Sequence, residues 1–185
     1  QYGGQAIAEI LYGKVNPSAK LAMTMPRHAG QISTWYNHKR SAFFHPAVCT
    51  DNTPLYPFGH GLSYTTFRYT DLQLSQASIP NDGKTPITAR VTIENTGKRD
   101  GVEICQLYIN DVVASVARPV KELKDFRRVA LKAGEKKTIE FTITPGKLAF
   151  YDLNMKSVVE PGAFEVLVGG SSRDEDLQKA TFNVQ

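Results

Sequence analysis

Four runs in the second part of the chain alternate between apolar and polar residues. They lie at residues 87–93, 102–109, 138–143 and 164–168. Turn sequences that contain glycine separate the runs, at residues 81–83, 95–97, 133–135, 145–146 and 161–162. A period of two places alternate side chains on one face of a strand, where they can be buried. About seven short strands at a spacing of roughly 8–12 residues predict an antiparallel β-sandwich.

Residues 4–26 carry a different pattern. Four apolar residues lie there at helical spacing: Ala6, Ile7, Ile10 and Leu11. Gly13 is placed to end this helix as a left-handed cap, and residues 16–18 form a turn sequence. Residues 21–25 predict a short, mostly buried strand. A helix, a turn and a buried strand form the closing unit of a layered α/β domain, which is too small to fold alone. We therefore expect this unit to dock on further chain or to stay partly exposed.

An aromatic segment separates the two patterns, with the sequence Leu55-Tyr-Pro-Phe-Gly-His-Gly-Leu-Ser-Tyr-Thr-Thr-Phe67. Pro57 fixes its own φ, and Gly59 and Gly61 tolerate positive φ, so the backbone bends in a defined way. Large aromatic side chains need a surface against which to pack. We therefore predict that this segment clamps two structural units together.

Charge and hydropathy exclude two classes of partner. The chain has 22 basic and 18 acidic residues, a net charge of +4. It lacks the dense basic stripe that phosphate neutralisation requires, so we predict no nucleic-acid partner. Its apolar runs fall short of the about 20 residues that span a bilayer, so we predict no membrane association. The pairs Arg127-Arg128 and Lys136-Lys137 are expected at solvated strand edges, where charge protects against aggregation.

Two cysteines, Cys49 and Cys105, leave two interpretations open. They can pair across the two halves of the chain, or both can be buried free thiols. His45, Asp51 and His60 are further potential metal ligands, but their spacing with Cys49 matches no structural zinc pattern. We therefore predict no metal site and no cofactor.

Motifs in both halves of the chain resemble glycoside hydrolase family 3, a family that contains many β-glucosidases. Residues 3–13 and 15–21 are similar to the end of its α/β sandwich domain, and residues 55–67 to the linker that follows. Further motifs follow the order seen in its fibronectin type III-like domain, at residues 91–97, 101–109, 118–124 and 131–135.

The resemblance implies three parts. They are a C-terminal remnant of the α/β sandwich domain with a long loop (1–54), an aromatic linker (55–67) and a fibronectin type III-like domain (68–185). The implied fold class is mainly β, an immunoglobulin or fibronectin III-like antiparallel sandwich preceded by a helix–strand unit. The family also favours a periplasmic or secreted location.

The activity implied by the resemblance is retaining hydrolysis of β-glycosides, in which one carboxylate attacks and a second carboxyl group acts as acid and base. In this family both groups lie upstream of the region that this chain resembles. Glu9 is expected to face solvent on a helix and Asp51 to lie in a turn, so we assign no catalytic residue. The segment alone is expected to be inactive and to have a structural or docking role. The implied partners are upstream catalytic domains, on the same polypeptide or an associated chain, and a β-linked oligosaccharide or glycoside. An oligomer is compatible with the resemblance.

The irregular residues 27–54 hold the candidate substrate contacts. Trp35 and Tyr36 have flat faces that can stack on a sugar ring, and His38 and Arg40 can donate hydrogen bonds to hydroxyl groups. The alternative is that the two aromatic residues pack beneath a long loop while the basic residues are solvated. Both interpretations stay open.

A second function is a non-catalytic fibronectin-like binding or adhesion module, because a fold alone does not fix a function. The helix–strand unit at residues 4–26 discriminates between the two. A free module has no use for half of an α/β layer, whereas a hydrolase has.

Overall fold

A computed structural model describes residues 2–31, 34–40 and 53–185. These residues form two α-helices, α1 (Gly3–Leu11) and α2 (Pro145–Leu148). They also form ten strands: β1 (Phe67–Leu74), β2 (Ser78–Ile79), β3 (Ile87–Asn95), β4 (Gly101–Asp111), β5 (Glu122–Leu131), β6 (Lys136–Ile143), β7 (Phe150–Tyr151), β8 (Ser157–Val158), β9 (Gly162–Gly169) and β10 (Leu177–Val184). No helix in the described ranges is long and apolar enough to cross a membrane.

Two sheets form the sandwich. One has the strand order β1-β3-β6 and the other β2-β10-β9-β4-β5, while β7 and β8 form a separate pair. Neighbouring strands are antiparallel, except that β2 runs parallel to β10. The four alternating runs lie within β3, β4, β6 and β9, so the predicted antiparallel sandwich is confirmed.

The core lies between the two sheets. The three-stranded sheet contributes fully buried side chains such as Val91 and Phe141. The five-stranded sheet contributes Leu107, Val166 and Phe182, and the Phe182 ring stacks on a neighbouring ring. Each fully buried apolar side chain of this size stabilises the fold by about 1.5–3 kcal/mol. A continuous core of this kind is what the alternating runs predict.

The charged pairs lie on edge strands, as the sequence predicts. Arg127 and Arg128 are exposed on β5, which ends the five-stranded sheet. Lys136 and Lys137 are exposed on β6, which ends the three-stranded sheet. Charged side chains at unpaired strand edges oppose edge-to-edge association with other chains.

The predicted N-terminal helix is confirmed, together with its glycine cap. Helix α1 is followed by Gly13 in the left-handed region, with φ of +71°. No side chain of α1 is buried, and Ile7 and Leu11 are 61% and 74% exposed. The apolar face of the helix is therefore open to solvent in this chain.

The predicted buried strand at residues 21–25 is wrong. The segment bends at Ala22 and Met23, and within the described residues its ladder pairing is limited to a single bridge between Met25 and Tyr56. Ala22, Met23 and Met25 are exposed. A buried strand needs neighbours on both sides and a covering layer. Among the described residues, the backbone hydrogen bonds of Leu21 and Met25 go to residues 55–60 of the aromatic linker. In the same way, Pro145-Gly146 begins the short helix α2 instead of forming a simple turn.

The aromatic linker is attached both to the N-terminal unit and to the sandwich. The Tyr64 hydroxyl donates to the carbonyl oxygen of Ile10 (2.6 Å). The Asn16 side chain accepts hydrogen bonds from the Ser63 hydroxyl (2.9 Å) and the Tyr64 amide (2.8 Å), and it donates to the carbonyl oxygen of Asp100 (2.9 Å). Asn16 thus joins the N-terminal unit, the linker and the turn before β4.

Candidate functional site

The segment that carries the candidate substrate residues runs beside the chain that leads into β5. The Val120 amide donates to the carbonyl oxygen of His38 (3.0 Å), and Lys39 forms an antiparallel bridge with Pro119. Backbone pairing of this kind fixes residues 38–40 against the sandwich.

The ring of Tyr36 is the main side-chain anchor of the segment. It stacks on Phe58 with ring centroids 4.3 Å apart, and it meets the edge of Tyr108 at 5.8 Å. The Leu123 amide donates to the Tyr36 hydroxyl (3.3 Å). Aromatic pairs in these geometries contribute about 0.5–1.5 kcal/mol each beyond their burial. Tyr36 therefore packs between the linker and the five-stranded sheet.

Two polar residues of β4 complete this cluster. The buried hydroxyl of Tyr108 donates to Gln106 Oε1 (2.5 Å), and burial raises the pKa of Tyr108 well above its usual range. Gln106 Nε2 donates to the carbonyl oxygens of Gly170 (2.7 Å) and Gly59 (3.3 Å). A Cβ atom at Gly59 would overlap Gln106 Oε1, and Gly59 has φ of +79°. Glycine alone lacks a Cβ atom and also adopts this positive φ without strain, so the position requires glycine.

Trp35 lies beside this cluster and is 67% exposed. It borders an open cleft of about 490 Å³, which Tyr36 and Phe58 also line. The other lining residues are Ala22, Met23, Thr24, Pro26, Gln31, Thr34 and Asn37. The indole ring of Trp35 and the flexible thioether side chain of Met23 both line this groove. Such side chains suit a ligand that has an apolar ring face.

The two basic candidates lie apart from the cleft lining. His38 is half-buried, with Nδ1 3.1 Å from the carbonyl oxygen of Lys39. Arg40 is exposed and acts electrostatically on Asp111. Burial raises the pKa of the Asp111 carboxyl group, and the positive charges of Arg118 and Arg40 offset part of that rise. Of the four candidate residues, the structure thus brings only Trp35 and Tyr36 together at the cleft.

A second polar cluster lies where the N-terminal unit meets the sandwich. Lys20 Nζ lies 2.8 Å from Glu103 Oε1, and their side chains are only 18% and 7% exposed. The Tyr69 hydroxyl also donates to Glu103 Oε1 (3.2 Å), and burial next to Glu103 raises the pKa of Tyr69. This cluster joins Lys20 to β1 and β4.

The remaining candidates give no catalytic or metal site in the described part of the chain. Glu9 forms an ion pair with Lys14 (2.8 Å), which lowers the pKa of Glu9, as expected of a surface helix residue. His60 stacks on Tyr56, and burial together with the charges of nearby basic groups lowers its pKa. Residues 41–52, and with them His45, Cys49 and Asp51, lie outside the described residues. No group of three potential metal ligands occurs among the described ones.

Cys105 is a free, buried thiol on the core face of β4. Burial raises its pKa well above the usual range, which keeps the thiol protonated. An inert, buried thiol is one of the two interpretations that the sequence left open for this residue.

Two family models match the chain. The glycosyl hydrolase family 3 C-terminal domain matches residues 1–64, and the fibronectin type III-like domain matches residues 103–172. A periplasmic β-glucosidase of Salmonella typhimurium is 45% identical over 184 residues, which cover 92% of this chain and 23% of that protein. A putative β-xylosidase of Formosa agariphila is 41% identical and covers 100% of this chain and 24% of its own length.

Solved structures give the same result. A β-glucosidase from Erythrobacter marinus is 42% identical, with a TM-score of 0.92 over 99% of this chain and 24% of that one. A β-glucosidase from Listeria innocua, solved in complex with glucose, is 39% identical, with a TM-score of 0.85 over 98% of this chain and 26% of that one. This chain therefore spans about a quarter of the length of these relatives.

A helical N-terminal unit followed by an antiparallel sandwich with a fibronectin type III-like domain matches the C-terminal region of glycoside hydrolases. The chain belongs to glycoside hydrolase family 3 and corresponds to the C-terminal portion of its members.

Proposed function

We propose that this chain is the C-terminal part of a retaining β-glycoside hydrolase that releases terminal sugars from β-glycosides. The observation that carries the proposal is that similarity to β-glucosidases and β-xylosidases runs through the helical unit, the linker and the sandwich. Retaining hydrolysis needs two carboxyl groups about 5–5.5 Å apart. We place both on domains that precede this segment, which has a structural or docking role and supplies no catalytic group.

The proposed division of the chain follows its packing. Residues 1–54 complete an α/β sandwich domain, residues 55–67 are the linker and residues 68–185 are the fibronectin type III-like domain. The open face of α1 supports this division, because Ile7 and Leu11 are 61% and 74% exposed. Apolar side chains side by side on one helix face are normally covered. We propose that the preceding part of the α/β domain covers them.

We further propose that the segment from Trp35 to Arg40 borders the cleft that binds a β-linked glycoside. The exposure of Trp35 beside an open, mostly apolar groove supports this placement. In this arrangement the indole ring stacks on a sugar and Tyr36 supports it from behind. His38 and Arg40 supply hydrogen-bond donors further along the segment.

A chimaera tests the proposed function. The last quarter of the Salmonella periplasmic β-glucosidase is replaced by this chain, and hydrolysis of an aryl β-glucoside is measured. The chimaera should be active, while the same enzyme without its last quarter, and this chain alone, should be inactive because each lacks an essential part. A chimaera that is folded and monodisperse yet inactive would contradict the proposal.

The placement of Trp35 is tested in the same chimaera. Trp35→Ala should raise KM or lower kcat/KM about tenfold with little change in Tm, because a stacking contact with substrate is lost. Tyr151→Ala is the matched control, since Tyr151 is a comparably exposed aromatic residue (66%) on the β7–β8 hairpin. If Trp35→Ala instead lowers Tm and leaves the kinetics per folded molecule unchanged, Trp35 is a structural residue.

A further inference from the structure

The outer face of β4 is buried where a sandwich of this kind ordinarily meets solvent. Cys105, Leu107 and Ile109 point into the core, so the residues between them point outward. Gln106 and Tyr108 are nevertheless only 3% and 0% exposed. Antiparallel sheets commonly carry polar, solvated residues on this face. Burial of a glutamine and a tyrosine there needs an explanation beyond the stability of the sandwich.

The covering residues come from two distant parts of the chain. The Tyr108 ring meets Tyr36 of the candidate substrate segment, and Tyr36 stacks on Phe58 of the linker. Gln106 donates to the carbonyl oxygen of Gly59, also in the linker. Tyr108 and Gln106 are successive outward-facing residues of β4. Tyr108 contacts the candidate substrate segment, and Gln106 contacts the linker.

The polar groups of this pair are satisfied together in one arrangement. The Gln106 amide nitrogen donates to two carbonyl oxygens, and its amide oxygen accepts the Tyr108 hydroxyl. A buried polar group that loses its partner costs free energy, so a displaced Tyr108 ring would leave Gln106 Oε1 without this donor. The network thus selects one position for the Tyr108 ring, and through ring packing one position for Tyr36.

We propose that Tyr108 and Gln106 are positioning residues, which hold the Trp35 side chain at the substrate cleft through Tyr36. This inference rests on the proposed function, because it assigns a use to the placement of Trp35. Trp35 directly precedes the anchored Tyr36 in the chain. Its own side chain is mostly exposed, so it depends on its neighbour for its orientation. The sandwich then contributes to substrate binding without touching substrate.

The spectroscopic test uses this chain as it is, because Trp35 is its single tryptophan. Tyr108→Leu removes the ring edge against Tyr36, and the fast component of the Trp35 fluorescence anisotropy decay should grow about twofold. Tyr151→Leu, which removes an exposed tyrosine, should leave the decay unchanged. Tyr108→Phe keeps the ring and removes only the hydroxyl group. It should give a smaller change in the same direction and serves if Tyr108→Leu fails to fold.

The kinetic test uses the chimaera with Tyr108→Phe and, as control, Tyr151→Phe. We expect KM for a β-linked disaccharide to rise about threefold with kcat nearly unchanged, because ground-state placement of Trp35 is lost. An anisotropy change without a kinetic change would leave the positioning intact and overturn the role of Trp35 in substrate binding. An unchanged anisotropy decay in folded Tyr108→Leu and Tyr108→Phe would overturn the positioning itself, whatever the kinetics.

Discussion

The side chain of Asp82 stabilises the turn between β2 and β3 through three hydrogen bonds. Its carboxylate accepts hydrogen bonds from the amides of Lys84 and Thr85, both at 2.8 Å, and from the Thr85 hydroxyl at 2.7 Å. The bonds from Thr85, followed by that from Lys84, lower the pKa of Asp82 to about 2. Gly83 follows in the left-handed region, with φ of +68°. The predicted turn at residues 81–83 thus has a charge-dependent component.

We predict that the stabilising effect of Asp82 disappears in acid. The folded-state pKa is below the unfolded value of about 3.9, so the contribution is full above that pH and is lost as pH falls towards 2. Asp82→Asn should lower Tm at pH 7, and the difference from the unmodified chain should shrink between pH 4 and pH 2. Thermal unfolding followed by circular dichroism measures it. A difference that stays constant over this range would contradict the assignment.

Gly59 provides a second prediction at the residue scale. Gly59→Ala adds a methyl group that overlaps Gln106 Oε1 and also places alanine at φ of +79°. Gly83→Ala is the matched control, since it has a similar φ of +68° and no atom within 4 Å of the added Cβ. Both changes cost backbone strain, but Gly59→Ala should cost about 1–3 kcal/mol more because of overpacking. Urea unfolding of the two variants should separate them, and equal losses would be inconsistent with the tight contact.

At the scale of elements, the sequence predicts the strands whose two faces differ. Strands β3 and β6 alternate in burial because one face lies in the core, whereas β4 and β9 are buried on both faces along part of their length. No alternating run marks strand β5, because charged residues occupy most of its first seven positions and only Val129 and Leu131 are buried. An edge strand carries little alternation because solvent reaches it from the side. Residues 21–25 show the opposite case, because their apolar composition is typical of a buried strand while Ala22, Met23 and Met25 are exposed.

The candidate site was predictable only in part. Trp35 and Tyr36 stand out as adjacent aromatic residues in an irregular stretch. Their different surroundings could not be predicted, because the burial of Tyr36 depends on Phe58 and Tyr108, which are far away in sequence. Alternation along β4 indicates which residues point outward, but not that a distant segment covers them.

The contact between Lys20 and Glu103 gives a prediction about how two elements are joined. Lys20→Met leaves the nearly buried Glu103 carboxylate without its cation and should destabilise the chain by about 3 kcal/mol. The double variant Lys20→Met/Glu103→Leu removes both charges and should be more stable than the single variant. Chemical unfolding of the single and double variants measures the coupling. A double variant no more stable than Lys20→Met would contradict the view that the unpaired Glu103 carboxylate causes the loss of stability.

For the whole molecule, we predict a difference in protease resistance between its two parts. The sandwich has a closed core, whereas α1 has no buried side chain. Limited proteolysis should therefore cut first within residues 2–15 and leave a resistant fragment that contains β1 to β10. Peptide mapping of the first products measures this. Early cleavage between residues 87 and 168 with an intact N-terminus would contradict the proposed division of the chain.

Asn16 joins the N-terminal unit to the linker and to the sandwich by hydrogen bonds. Its amide joins chain positions that are 47, 48 and 84 residues away, and Arg99 adds a bond to the carbonyl oxygen of Gly13 (2.7 Å). A swivel about the linker would have to break these bonds at the same time. The four hydrogen bonds therefore oppose rotation of the N-terminal unit relative to the sandwich.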